Sequence, residues 1–194
     1  MKARYNDIVY LALYVFDTGQ LSMMNTGLRW LWLTVAVVVL DLSSKFYIAS
    51  HIAYGWVNRI EVTSFFNILH VHNLGAAFSF LSNAGGLQRW FFVGIAFIII
   101  LVLCYALAKN SVSARWQNIA YTLIIGGAAG NVFDRLYHGY VIDFLDFYIN
   151  HYHWPAFNVA DIAISLGACL LFIEALWGEK KRVERKKTKG SETK

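Results

Sequence analysis

The chain has 194 residues, of which 58% are apolar and 15% are charged, and its formal net charge is +5. Soluble domains average roughly 45–50% apolar and about 25% charged residues, so this composition excludes an ordinary water-soluble globule. One proline and 16% aromatic residues exclude collagen-like and disordered chains. The bilayer is the natural solvent for such a chain, and its length suits one compact domain.

The first 23 residues stand apart from the rest of the chain. Asp7 and Asp17 argue against a secretory signal peptide, which has a basic start and an uncharged apolar centre. Met23 and Met24 come immediately before the first long apolar stretch. We hypothesise that translation begins there, so that residues 1–23 form an N-terminal extension that is dispensable.

Four apolar stretches are long enough to cross a hydrocarbon core, which takes about 20 helical residues. They run over residues 28–48, 90–108, 116–133 and 157–177. The expected fold is an all-α membrane protein with four transmembrane helices. Residues 24–178 form the membrane domain, and residues 179–194 form a basic tail.

Positive charge predicts the orientation in the membrane. Eight of the last fifteen residues are Lys or Arg, and Lys109 and Arg115 flank the loop after the second span. Because basic loops face the cytoplasm and an even number of spans returns the chain to its starting side, both termini are expected there. The basic tail is therefore interpreted as a topology signal, and no nucleic acid partner is expected.

The segments on the outer side are not all loops. Residues 60–71 are rich in β-branched and aromatic side chains, and Asn73-Leu74-Gly75 has the composition of a turn. We therefore expect a small periplasmic β-sheet. Residues 81–92 are expected to form a short interfacial helix that leads into the second span, and residues 138–156 an outer loop.

Polar side chains converge on one layer at the outer membrane face. Ionisable groups inside spans are costly and are therefore functional candidates. The candidates come from the outer ends of three spans and from the last outer loop: Asp41, Lys45, Asn131, Asp134, Arg135, Asp143, Asp146, Asn158 and Asp161. Residues distant in sequence would thus form one site from several helices.

Paired carboxylates suggest a hydrolytic chemistry. Two carboxyl groups close together at a low-dielectric boundary do not both ionise readily, so one holds a proton while the other acts as base. Such a pair activates water against a peptide bond without a metal or a covalent intermediate. Spacing leaves several pairs open among Asp134, Asp143, Asp146 and Asp161.

Structural alternatives exist for several of these residues. Asp41 and Lys45 have the i,i+4 spacing of a simple helical ion pair. Asp134 precedes Arg135 and could be an ion-pair partner or a helix cap, and Asp146 could be an ordinary loop acid.

Other chemistries are less well supported. The His70-x-His72 and His151-x-His153 pairs could suggest zinc, but interfacial histidines are the simpler interpretation. The glycine-rich run over residues 126–130 lies inside a span, where it favours close helix packing over phosphate binding.

Two other functions compete with a peptidase. A small proton-coupled transporter would need a polar path to the cytoplasm, and the inner halves of the second and third spans are nearly devoid of ionisable groups. A non-catalytic membrane scaffold should tolerate the loss of the acids.

Five segments carry a family resemblance. Together they resemble the lipoprotein signal peptidases (signal peptidase II), the membrane aspartyl proteases of bacteria. In chain order the segments cover residues 41–45 (DLSSK), 73–78 (NLGAAF), 126–135 (GGAAGNVFDR), 141–144 (VIDF) and 157–161 (FNVAD). Each is weak alone, but their combination and order are specific, and the resemblance begins near residue 26.

The resemblance implies roles for the site residues. It makes Asp143 and Asp161 the catalytic pair. It assigns Asn73, Asn131, Arg135 and Asn158 to the supporting site, with Asp134 close by. Asp41 and Lys45 match as structural or substrate-orienting groups.

The resemblance also implies partners and location. The substrate is a prolipoprotein that already carries diacylglyceryl on its cysteine, and cleavage occurs just before that cysteine. No cofactor or metal is implied. Membrane lipids and a globomycin-type cyclic peptide inhibitor are the other expected partners, and the bacterial inner membrane is the expected location, with the site near its periplasmic face.

Overall fold

The computed structural model describes residues 25–75 and 87–191, with side chains as far as residue 177. Four helices carry most of the chain: α1 (Leu31–His51), α2 (Leu87–Lys109), α3 (Arg115–Tyr137) and α4 (Val159–Ser191). Four strands complete it: β1 (Ile60–Thr63), β2 (Phe66–Asn73), β3 (Val141–Ile149) and β4 (Tyr152–His153). The proposed extension, residues 1–23, lies outside the described residues.

Each of the four predicted apolar stretches forms a helix. Within the described ranges, three stretches are long and apolar enough to cross a membrane: Gly27–His51, Leu87–Lys109 and Val159–Trp177. Their apolar side chains point outward, with Val39 56% and Val102 59% exposed. Extensive apolar surface of this kind is stable in lipid and not in water. The protein is therefore a multi-pass membrane protein.

Helix α3 differs from the other three helices. It has 23 residues and is long enough to span, but it buries polar residues such as Asn118, Thr122 and Asn131. It packs against α1, α2 and α4, so much of its surface faces protein and not lipid. A helix in this central position can carry polar groups at lower cost, which explains its lower hydropathy. Hydropathy alone therefore does not establish a fourth span.

The glycine-rich run of α3 is a packing surface. A Cβ on Gly126 would lie 2.8 Å from Cβ of Val37 on α1. A Cβ on Gly127 would meet the backbone oxygen of Ala160 on α4, and one on Gly130 would meet the Asp41 carboxylate. Small residues let helix backbones approach closely in membranes. This agrees with the packing interpretation of residues 126–130.

The strands form one antiparallel sheet in the order β1-β2-β3-β4. β1 and β2 confirm the β-structure expected over residues 60–71. β3 corrects the expected outer loop at residues 138–156, because most of that segment is extended. In the β2–β3 register Val71 pairs with Asp143 and Asn67 pairs with Asp146. The partner strand β2 supplies hydrogen bonds that no local sequence pattern reveals.

Helices α2 and α4 are longer than the apolar stretches that predicted them. The first half of the interfacial helix expected over residues 81–92 lies outside the described ranges, and from Leu87 onward the chain already belongs to α2. Helix α4 continues through the basic segment as far as Ser191, so no break in the backbone separates the membrane domain from the tail.

Candidate active site

Two aspartates that are eighteen positions apart in sequence lie near each other, where β3 approaches the start of α4. Asp143 lies on β3 and is 2% exposed. Asp161 lies in the first turn of α4, which begins at Val159. Between them β3 ends in a short hairpin with β4, after which Phe157 bonds back to Leu145. That return of the chain brings the start of α4 alongside Asp143.

Each oxygen of Asp143 accepts a hydrogen bond from a side-chain amide. Nδ2 of Asn73, at the end of β2, donates to Oδ2 over 2.9 Å. Nδ2 of Asn158, just before α4, donates to Oδ1 over 2.6 Å. The carboxyl group is therefore held by the neighbouring strand β2 and by the residue that precedes α4.

Asp161 has a comparable pair of donors. Nδ2 of Asn131, on α3, donates to its Oδ1 over 2.8 Å, and the backbone N–H of Asn158 donates to its Oδ2 over 3.3 Å. Oδ1 of Asn158 in turn accepts from the backbone N–H of Asp161 over 3.0 Å. This reciprocal pair caps the start of α4, where backbone N–H groups lack partners within the helix.

Two asparagine amides link the carboxyl groups to each other. Nδ2 of Asn158 lies 2.6 Å from Asp143 Oδ1 and 3.3 Å from Asn131 Oδ1, while Nδ2 of Asn131 bonds to Asp161. Oδ1 of Asn131 also accepts from Lys45 Nζ over 3.0 Å. Because an ammonium group can only donate, this contact fixes the orientation of the Asn131 amide and directs its NH₂ group to Asp161.

Lys45 occupies the centre of a buried ionic cluster that contacts the two aspartates through Asn131. Its side chain is 2% exposed, and Nζ lies 2.8 Å from Asp41 Oδ2 and 3.0 Å from Asp134 Oδ2. The i,i+4 pairing of Asp41 with Lys45 that the sequence suggested is present, but Asp134 shares the same cation. A buried charge needs such partners to be tolerated.

The two acids of this cluster also tie the active-site elements together. Asp41 Oδ1 accepts from the backbone N–H of Ala160 over 2.8 Å, which fastens α1 to the first turn of α4. Asp134 Oδ2 accepts from the backbone N–H of Ile142 over 3.1 Å, which fastens α3 to β3. Each contact is made next to a site aspartate in the chain.

Arg135 lies on the α2 side of the site. Nη1 donates to the backbone oxygen of Asn131 over 3.2 Å, and Cζ lies 5.1 Å from the centre of the Phe92 ring. In the described part of the chain, these contacts bind Arg135 to its own helix and to α2, and none of its hydrogen bonds goes to Asp143 or Asp161.

Burial changes the acidity of one of the two carboxyl groups. Desolvation, together with the neighbouring Asp161 carboxyl, raises the pKa of Asp143 to about 7, against the opposing hydrogen bonds from Asn73 and Asn158. A carboxyl group with a pKa near neutrality exchanges its proton under physiological conditions. This is the property that general acid–base chemistry requires.

Asp146 is buried, contrary to the interpretation of a loop acid. It accepts from Nδ2 of Asn67 over 2.8 Å, and both of its oxygens lie 2.9 Å from Nδ1 of His153. Side chains three positions apart on a strand point to opposite faces, so β3 directs Asp146 away from Asp143. The signal that sequence reasoning missed was the strand period between Asp143 and Asp146.

Comparisons with known proteins identify the family. A model of signal peptidase (SPase) II matches residues 33–177. Lipoprotein signal peptidases from Vibrio parahaemolyticus and Aeromonas hydrophila are 53% and 54% identical. The first alignment covers 79% of this chain and 91% of the relative, and the second covers 81% and 94%.

A solved bacterial membrane enzyme has the same fold. It superposes with a TM-score of 0.69 at 33% identity and covers 79% of this chain and 90% of its own. A second structure of a bacterial membrane enzyme gives a TM-score of 0.67 at 34% identity and covers 76% and 92%. Residues 33–177, which the family model matches, include every residue of the buried site described above. The chain belongs to the signal peptidase II family.

Proposed function

We propose that this protein is an aspartyl endopeptidase that removes the signal peptide from diacylglyceryl-modified prolipoproteins by cleaving before the lipidated cysteine. Membership of the signal peptidase II family supports a peptidase, and relatives named lipoprotein signal peptidase support the substrate class. The observation that carries the catalytic assignment is the chain of amides that links Asp143 to Asp161 through Asn158 and Asn131.

The pair would work by general acid–base catalysis. Asp161 takes a proton from a water molecule, and the resulting hydroxide forms a bond to the carbonyl carbon of the scissile peptide. Asp143, whose pKa is raised to about 7, carries the proton that passes to the leaving nitrogen as the C–N bond breaks. The products are a free carboxylate on the signal peptide and a free amine on the cysteine.

The surrounding residues would position the pair and the substrate. Asn73, Asn131 and Asn158 hold the two carboxyl groups in fixed orientations through hydrogen bonds. Arg135, beside Phe92 on the α2 side, is the group we assign to a carbonyl of the bound peptide. Lys45 with Asp41 and Asp134 holds together the elements that carry the pair, without contact to substrate.

The proposed setting is the bacterial inner membrane. We infer that α3 also crosses, since its 23 residues reach about 35 Å. With four spans, the basic tail at residues 179–194 keeps both termini cytoplasmic and the sheet periplasmic. A signal helix and its diacylglyceryl group held among the membrane lipids would then bring the scissile bond to the level of Asp143 and Asp161.

Mass spectrometry of the product tests this function. The purified protein in detergent is incubated with a diacylglyceryl-modified prolipoprotein, and the mature product should begin at the lipidated cysteine. A matched prolipoprotein with serine at that position, which cannot be lipidated, should remain uncut. A globomycin-type cyclic peptide should compete with substrate. Cleavage at another bond, or equal cleavage of both proteins, would contradict the proposal.

A further inference from the structure

Two histidines on β2 lie side by side near the active site without taking part in it. His70 lies in the stretch between Ile68 and Val71 where the β2–β3 register shifts, and His72 follows Val71. Their Nε2 atoms are 3.2 Å apart, and the ring centroids are 5.0 Å apart with an angle of 65° between the planes. The rings therefore meet at their nitrogen edges and do not stack on each other.

The backbone fixes the tautomer of His70. Its Nδ1 lies 2.9 Å from the backbone oxygen of Ile52. A carbonyl oxygen can only accept, so Nδ1 of His70 carries the proton and Nε2 of the neutral ring presents a lone pair toward His72. Metal-binding histidines commonly donate their second nitrogen to a backbone carbonyl in this way, which fixes the ring and raises its basicity.

Aromatic neighbours fix the ring of His72. Tyr140 stacks on it with centroids 3.6 Å apart and planes at 16°, and Tyr54 lies on it at 4.4 Å. With the His70 proton on Nδ1, Nε2–H of His72 donates to the Nε2 lone pair of His70 over 3.2 Å. A metal ion that displaces this one proton would meet an Nε2 lone pair from each ring.

The separation of the two nitrogens matches a metal chelate. Two imidazole nitrogens bound to one tetrahedral Zn²⁺ at about 2.0–2.1 Å are about 3.3 Å apart. We propose that His70 and His72 bind one divalent transition-metal ion of the class that prefers imidazole, such as Zn²⁺, through their Nε2 atoms. Among residues 25–75 and 87–191 no cluster of three or more His, Cys, Asp or Glu is arranged to hold a metal. The pair therefore supplies two ligands, and water completes the coordination.

Calorimetric titration of the untagged, full-length protein in detergent with Zn²⁺ tests the proposal. Binding should saturate at one ion per chain, and Mg²⁺, which prefers oxygen ligands, should not compete. The His72→Gln variant should bind Zn²⁺ at least tenfold more weakly. The His70→Gln variant should show the same loss, provided that its melting temperature shows it to be folded.

Two controls separate this site from other ligands. His151→Gln changes an exposed histidine on the β3–β4 turn and should leave the affinity within twofold of wild type. Asp143→Asn removes a carboxylate of the proposed catalytic pair and should also leave Zn²⁺ binding unchanged. The inference is overturned if no saturable binding occurs, if His72→Gln binds as wild type does, or if Asp143→Asn abolishes binding. A failure of the peptidase assay would leave this result unaffected.

Discussion

At the scale of single residues, the environment of Asp143 determines how the site responds to pH. Its pKa is raised from 3.8 to about 7, first by burial and then by the Asp161 carboxyl. Folding therefore opposes the ionisation of Asp143. The stability that comes from its protonated form is complete below about pH 4 and is lost as the pH rises through about 7.

The Asp143→Asn variant should remove this pH dependence, because an amide does not titrate in this range. We expect the difference in melting temperature, variant minus wild type, to become more positive between about pH 4 and pH 8. Thermal unfolding in detergent across this range measures it. A difference that stays constant with pH would show that the Asp143 pKa is not raised.

Lys45 illustrates a charge that is tolerated because its partners surround it. Replacing it with methionine keeps the apolar stem but leaves the Asp41 and Asp134 carboxylates buried without their shared cation. We expect Lys45→Met to lower the free energy of unfolding by about 3–5 kcal/mol. Cleavage should also be lost, because α1 and α3 are no longer held in their relative positions.

Lys109→Met provides the matched control, because Lys109 is exposed at the end of α2 and contacts the ring of Tyr105. Lys109→Met should lower the free energy of unfolding by less than about 1 kcal/mol. Equal effects of the two substitutions would contradict the role given to the buried cluster.

Residue types and family motifs predicted which side chains lie together at this scale, while their catalytic and binding roles stay predictions. Hydrogen bonds and ion pairs connect most of the residues named from the sequence: Asp41, Lys45, Asn73, Asn131, Asp134, Asp143, Asn158 and Asp161. Arg135 bonds to Asn131 and not to either site aspartate, and Asp146 points to the other face of β3. The amide links through Asn131 and Asn158 could not be predicted, because they depend on which atoms face each other across three elements. The hydrogen bonds that bury Asp146 against Asn67 and His153 could not be predicted for the same reason.

At the scale of elements, the contact between α3 and α4 sets the position of Asp161. A Cβ at Gly127 would meet the backbone oxygen of Ala160 and would lie 2.7 Å from Cγ1 of Ile164. A backbone oxygen cannot swing aside as a flexible side chain can. Any added volume at Gly127 must therefore push the start of α4 away from α3.

Gly127→Ala should accordingly destabilise the protein by about 1–3 kcal/mol and reduce cleavage, since Ala160 adjoins Asp161. Gly94→Ala on α2 is the control, because a Cβ there would lie more than 4 Å from every atom of the described residues outside its own helix turn. That control should be neutral or slightly stabilising, as alanine favours helix more than glycine does. Melting temperatures and cleavage rates of both variants provide the comparison, and an unaffected Gly127→Ala would refute the close-packing account.

The helices were predictable because about 20 consecutive apolar residues have few other structural solutions. The strand β3 was not, because residues 141–149 mix apolar residues with two aspartates and gain their hydrogen bonds from β2. The burial of Asp143 and Asp146 on opposite faces of β3 explains why the segment did not show simple alternation of apolar and polar residues.

At the scale of the whole molecule, the proposed topology places the loop before β1 on the periplasmic side of the membrane. It places the loop between α2 and α3 on the cytoplasmic side. Val57, 92% exposed in the first loop, and Ser113, exposed in the second, report on the two sides. In intact spheroplasts, a membrane-impermeant maleimide should label Val57→Cys and should label Ser113→Cys only after the membrane is opened. Wild type, with Cys104 and Cys169 within α2 and α4, gives the background.

Labelling of both cysteines from outside, or of neither, would contradict a crossing by α2 between them. Labelling of Ser113→Cys alone would reverse the orientation of the protein and place the sheet in the cytoplasm. Either result would separate the site from substrates that arrive at the periplasmic face.

The central claim is that the Asp143 and Asp161 carboxyl groups together carry out hydrolysis. The most direct measurement is the cleavage rate of a lipidated prolipoprotein by Asp143→Asn and Asp161→Asn, with Glu61→Gln on exposed β1 as the matched acid-to-amide control. We predict that each aspartate variant inserts and folds but shows no detectable cleavage, while Glu61→Gln cleaves as wild type does. Full activity in either aspartate variant would contradict the account.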